Sequence, residues 1–173
     1  MAKLIELRRH ADDDGDVLSD EGVEAAIRLG QQLAGGYQVG VSTGAQRATQ
    51  TIACLLAGLG QPVPGGVVVE TGLRSPAEDR WKEIARQADG SQLSAFRAVD
   101  AEFVVAEQDR LAAGLRAVFD RIDEGQRALV VGHSPTNEAA VAGLTGTDVQ
   151  PLSKGEGVAV IAEGGGFRVA SLP

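Results

Sequence analysis

The chain has 173 residues, 43% of them hydrophobic and 23% charged, and a net charge of −8. That size and composition exclude a disordered chain and fit one domain, residues 1–173, with a core of its own. The negative balance excludes a general affinity for nucleic acid or anionic membrane, so any phosphate site has to be a local cationic pocket.

Lys3 to His10 (Lys-Leu-Ile-Glu-Leu-Arg-Arg-His) reads as a buried strand running out into charge. A cation and an imidazole delivered side by side off a rigid element suit a phosphate site. Arginine offers a planar fork of donors to phosphate oxygens. Histidine offers a nitrogen that attacks phosphorus or carries a proton. Arg8 is expected outside the site, because successive strand side chains point to opposite faces.

Ala11 to Asp16 is an acidic loop. It lacks the alternating acids and closing Glu of a calcium hand and reads as a solvated loop. Ser19 is the expected N-cap of an amphipathic helix reaching about Leu33, stopped by Gly35-Gly36. Tyr37 to Thr43 reads as a second strand. A helix follows through Ala48, Thr51, Ile52, Leu55 and Leu59 to Gly60, with Pro62 beyond. Cys54, the one cysteine, falls in its apolar run and reads as a buried structural thiol; no intrachain disulfide is possible. Val67 to Glu70 is expected to be a short buried strand.

From Ser75 to Val99 the pattern loosens, with a helix expected over Ala77 to Ala88 and a loop over Gly90 to Ser94. Asp100 to Asp123 is expected to be the longest helix, burying Phe103, Leu111, Leu115, Val118 and Ile122. Leu129 to Gly132 is a strand, and Thr136 to Leu144 a helix. Gly157 to Ala162 and Phe167 to Ser171, joined across Glu163-Gly-Gly-Gly, read as a β-hairpin. Strands alternate with helices, so the expected class is α/β: a three-layer sandwich with a mainly parallel sheet, helices on both faces and a C-terminal hairpin.

No apolar run reaches about 18 residues, the length that spans a membrane. The N-terminus enters a strand pattern directly, without a secretory leader, which points to a cytoplasmic protein. His10 and His133 are the only histidines. That excludes a three-imidazole metal site, and no His-x-x-x-His spacing supports a smaller one.

Chemistry-bearing residues fall where strands end: Arg9-His10, then Ser42 to Arg47, then Gly132-His133-Ser134. In an open α/β sheet, ligands bind at the carboxyl ends of the strands. Arg9, His10, Arg47 and His133 are therefore expected at one edge.

These segments resemble the motifs of a known family. Arg9-His10-Ala11 resembles the Arg-His-Gly signature of the histidine phosphatase superfamily, which includes the cofactor-dependent phosphoglycerate mutases. Leu18-Ser19-Asp20-Glu21-Gly22 is similar to its Leu-Thr-x-x-Gly. Ser42 to Thr51 is similar to its Ser-Ser-x-x-x-Arg-Ala-x-Gln-Thr, and Gly132-His133-Ser134 to its late Gly-His motif. Order and spacing agree over about residues 3 to 145. There are departures. Ala11 replaces Gly, the aspartate loop replaces a common Asn, and Ser75 stands two residues after Leu73, where the family has its acid.

The resemblance implies that neutral His10 attacks phosphorus in line and becomes phosphohistidine. Arg9 and Arg47 would bind the equatorial oxygens, with His133 and Ser134 adding contacts to the phosphoryl group. A carboxylic acid would protonate the leaving oxygen and then activate water. Glu78 is the first choice, ahead of Glu70 and Glu83. No metal and no cofactor is implied, and the partner is a small phosphorylated substrate. Arg74, Arg80, Lys82, Arg86 and Arg97 are expected to face solvent.

The expected activity is phosphomonoester hydrolysis. A phosphohistidine protein phosphatase, a phosphoglycerate-type mutase and a non-catalytic phosphate-binding module are the alternatives. A mutase has to keep its phosphoenzyme from water, and the loose Ser75 to Val99 segment suits that poorly. Gly132-His133-Ser134-Pro135-Thr136 superficially resembles a serine nucleophile elbow. However, Pro135 lacks the N–H an oxyanion hole needs, and no histidine follows Ser134.

Overall fold

The computed structural model describes residues Met1–Pro173. In chain order the elements are β1 (Lys3–Arg9), a small hairpin of β2 (Asp13–Asp14) and β3 (Val17–Leu18), α1 (Asp20–Gly30), β4 (Tyr37–Ser42), α2 (Gln46–Leu59) and β5 (Val67–Val69). A single 3-10 turn (Thr71–Leu73) leads to α3 (Glu78–Gln87), α4 (Leu93–Phe119), β6 (Arg127–Gly132), α5 (Thr136–Thr145), β7 (Gly157–Glu163) and β8 (Gly166–Ser171).

The main sheet has the order β5-β4-β6-β1-β7-β8. The first four are parallel, and β7 and β8 add antiparallel as a hairpin. The expected α/β architecture is therefore the observed one. Alternation along β6 sets the layers. Ala128 and Val130 join the core built with α4 and α5, while Leu129 and Val131 join a smaller one beneath α2. No helix is long and apolar enough to cross a membrane.

The register matters more to function than the layers do. Arg9 of β1 pairs with Gly132 of β6, so the next residues, His10 and His133, leave the sheet side by side. The amide of His10 donates to the Gly132 carbonyl at 2.9 Å and fixes that exit. Ser42 of β4 pairs with Val131, which brings Thr43 to the same edge.

Ser19 caps α1 as expected, its hydroxyl accepting from the Gly22 amide at 3.0 Å. A Cβ on Gly22 would lie 2.0 Å from the Asp12 carbonyl oxygen, which explains why this spot takes glycine. Gly22→Ala is expected to cost about 1–3 kcal/mol through overpacking, read as a lower midpoint in denaturant unfolding. An unchanged midpoint would show that the loop gives way freely.

Several sequence expectations need correction. β5 is an edge strand, not a buried one: Val67 is 46% and Val69 51% exposed. α1 stops at Gly30 rather than near Leu33. Cys54 is only half-buried, with burial pushing its thiol up. The Ser75 to Val99 segment is not loose. It holds α3 and a first helical stretch from Leu93, and Trp81 packs edge-on against Phe96 and Phe103 at 6.1 and 5.3 Å. Apolar spacing is diluted there because α3 buries only Trp81 and Ile84. Asp100 breaks helical geometry and its carboxylate accepts from the Phe103 amide. It therefore starts the longer stretch expected from Asp100, which ends at Phe119 rather than Asp123.

Candidate active site

His10 is 5% exposed. Its Nδ1 lies 2.8 Å from the Ala11 carbonyl oxygen. A carbonyl only accepts, so Nδ1 carries the proton and Nε2 is left with a lone pair. No protein group hydrogen-bonds Nε2. Burial pulls the imidazole below its ordinary range, partly opposed by the Ala11 carbonyl. The ring is therefore neutral at physiological pH, the state a nucleophile needs.

His133 stands 5.3 Å from His10, centroid to centroid. Its Nε2 meets the Thr43 hydroxyl at 2.8 Å. Burial, followed by the charge of Arg47, pulls its pKa down to about 3. Its Nδ1 is buried without a partner. With the Thr43 hydroxyl donating to Nε2, that Nδ1 becomes an unspent donor.

Arg47 sits in the first turn of α2, where Asp16 holds its guanidinium at 2.8 Å. The acidic loop is thus part of the site and not merely solvated. Asp12 accepts from the Ser19 hydroxyl at 2.7 Å, and Asp13 approaches His10 at 3.7 Å. Arg9 continues the parity of Ile5 and Leu7 and turns toward α5. One terminal nitrogen donates to the Leu152 carbonyl at 2.8 Å, and its Nε is buried without a partner. Arg8 lies outside the site, paired with Glu6 at 2.6 Å. Glu6 also accepts the Tyr37 hydroxyl, whose pKa burial and then Glu6 push up.

A cavity of about 230 Å³ opens beside His133, walled by Arg47, Ser75, Glu78, Trp81, Lys82, His133 and Ser134 among others. Of the carboxylates offered by sequence, only Glu78 lines it, held by Arg74 Nε at 2.8 Å. Glu70 caps the 3-10 turn and contacts Arg121. Glu83 pairs with Arg80 on the surface. Arg74 and Lys82 border the site instead of simply facing solvent: Arg74 lines an adjoining hollow that shares Ser75 and Glu78. Arg80 and Arg97 are tied up with Asp100 and Asp148.

Ser75 donates to buried Glu107, whose other oxygen takes Arg110 at 2.8 Å. Ser134 donates to Glu138 on the first turn of α5, with no histidine as partner, so the serine-nucleophile reading fails on geometry. Glu138 also accepts the Leu152 amide at 2.8 Å. Burial raises its pKa.

The buried side-chain atoms without a partner are Arg9 Nε, Trp81 Nε1, His133 Nδ1 and Glu138 Oε2. Trp81 and His133 line the cavity, and Glu138 holds Ser134 of its wall. Unsatisfied buried groups are rare and need a reason, and a polar ligand is one. No group of three or more His, Cys, Asp or Glu side chains is arranged to hold a metal ion.

A sheet edge presenting adjacent imidazoles beside an arginine suits a phosphoryl group. Residues 6–159 match the family described as the histidine phosphatase superfamily (branch 1). The chain belongs to that family. Bacillus stearothermophilus YhfR is similar in structure, with a TM-score of 0.73 and 20% identity over 98% of this chain and 96% of that one. Phosphoglycerate mutase from Bacillus anthracis str. Sterne gives 0.69 and 18% identity over 99% and 92%. The protein histidine phosphatase SixA, complexed with tungstate, gives 0.60 and 19% over 98% and 94%. At these identities the likeness speaks to fold alone. No curated protein matches the sequence significantly.

Proposed function

We propose that the protein is a phosphatase that hydrolyses small phosphomonoesters through a phosphohistidine at His10. The observation carrying this reading is the state of His10: neutral, its Nδ1–H committed to Ala11, its Nε2 without a protein partner, and its ring 5.3 Å from that of His133, which lines the cavity. Nε2 attacks phosphorus in line as the P–O bond breaks. Arg47 and the uncommitted nitrogens of Arg9 take the equatorial oxygens, with His133 Nδ1–H beside them; the Ser134 hydroxyl, which donates to Glu138, has no hydrogen left for the phosphoryl group. Glu78 donates the proton to the leaving oxygen, then receives one from the attacking water.

The arginines supply the cationic clamp, so turnover is expected to need no metal. Phosphate release should be measured across a panel of phosphomonoesters, with and without excess chelator. Release that chelator leaves unchanged supports the reading. Loss of release that a divalent ion restores, or no release from any ester, overturns it.

A second reading is a phosphatase acting on phosphohistidine in proteins, by likeness to the protein histidine phosphatase SixA. One feature favours it. Glu78 is already engaged by Arg74, and a nitrogen leaving group asks less of a proton donor than an alkoxide does.

A further inference from the structure

Behind His10, on the side away from its free nitrogen, two charges from distant parts of the chain meet. Asp13 Oδ1 lies 3.7 Å from His10 Nδ1, and Lys154 binds the same oxygen. The reaction steps proposed above use neither. Lys154 is held in place by its neighbours in the chain. The Arg9 amide donates to Glu156 at 2.8 Å, and the Gly155 amide reaches the Arg9 and His10 carbonyls at 3.1 and 3.3 Å. Arg8 donates to the Gly155 carbonyl at 2.9 Å. The loop carrying Lys154 is thus clasped onto the end of the catalytic strand.

We propose that Asp13 and Lys154 are opposed positioning residues that set how long the phosphoryl group stays on His10. This rests on His10 being the phosphoryl acceptor. When the Nε2–P bond forms, the P–O bond electrons leave with the leaving oxygen, which takes a proton. The ring keeps its Nδ1–H, because Ala11 offers only an acceptor, and becomes a cation. When water attacks phosphorus, the N–P electrons return to the ring and the cation is discharged. An anion behind Nδ1 stabilises the charged intermediate more than the transition state that discharges it; a cation does the reverse. Asp13 therefore lengthens the life of the intermediate and Lys154 shortens it. Arg47 and the neutral His133 face His10 from the other elements. In the free protein, burial first and then Lys154 lower the affinity of His10 for a proton, while Ala11 and Asp13 raise it.

With only two histidines in the chain, NMR titration reads His10 directly. Lys154→Met should raise its titration midpoint, and Asp13→Asn should lower it, each by roughly half a pH unit or more. Both variants lose the same ion pair, so a merely structural role moves them in the same direction. That outcome overturns the proposal. Acid quench after radiolabelled phenyl phosphate gives the second readout. Lys154→Met should hold label several-fold longer than wild type, Asp13→Asn for less time, and Lys154→Arg should restore wild-type behaviour. Equal lifetimes overturn the proposal. If no variant or wild type traps label, the phosphohistidine reading fails instead, and the NMR arm still decides whether the pair acts on His10.

Discussion

His10→Ala is expected to abolish phosphoryl transfer. Removal of a covalent nucleophile costs about 10⁵-fold or more, and no other residue of the site can replace it. His133 is the nearest imidazole, but its Nε2 is spent on Thr43, and its pKa of about 3 marks a weakly basic ring. Ser134 has given its hydrogen to Glu138. Rapid acid quench with a radiolabelled phosphomonoester should trap an acid-labile phosphoenzyme in the wild type and none in His10→Ala. His133→Ala should still trap label, formed about 10²–10³ more slowly, as expected when one electrostatic donor is lost. Label that persists in His10→Ala but vanishes in His133→Ala would exchange the roles of the two histidines. His10→Ala should fold normally, because the strand register is held by backbone pairing with β6.

How much of this was legible in the sequence follows from where the information lies. His10, Arg47 and His133 could be placed together because each directly follows a strand or opens the next helix, and topology puts strand ends on one edge. Residues that complete the site from afar were not legible. Lys154 reaches Asp13 across 141 positions of chain. The loop that carries it precedes β7 and has no periodicity, only turn residues, so nothing local marks it. Thr43 was inside a recognised segment, but its role depends on the distance to His133. Asp13 and Asp16 were read as solvated because a run of aspartates has no partner in its own sequence; their partners are Lys154 and Arg47. Glu138 and Glu107 fall on helices at positions where a carboxylate ordinarily faces water. Their burial beside Ser134 and Ser75 is a tertiary fact. β5 failed for a different reason: three valines in a row fit a buried strand and an edge strand equally well. Arg9 shows the limit of alternation. Strand parity correctly separates it from Arg8, yet it turns the side chain toward Leu152, so the phosphate contact proposed for it would have to come from the nitrogens left free there.

Glu78→Gln is expected to separate leaving groups. Ser75 occupies the position where the family has its acid, and its hydroxyl is committed to Glu107. The proton must therefore come from another group, and Glu78 is the only one of the sequence-derived carboxylates on the cavity wall. An alkoxide leaves poorly without a proton, whereas an activated aryl oxide leaves unaided. Loss of the acid should therefore slow glycerol phosphate by about 10²–10⁴ while sparing p-nitrophenyl phosphate far more. The measurement is kcat/KM for both substrates, run beside Glu70→Gln and Glu83→Gln, whose side chains lie outside the cavity and should leave both values near wild type. Arg74→Met adds a needed control. It removes the partner that holds Glu78 without touching the carboxylate, so a smaller loss with the same leaving-group bias supports Glu78 as donor. Equal slowing of both esters by Glu78→Gln would make Glu78 a substrate-binding group. If neither ester slows, Glu78 is not the acid. Should that variant also retain full turnover of a phosphohistidine peptide, the second reading gains, because a site built for a nitrogen leaving group can do without the proton that an alkoxide requires.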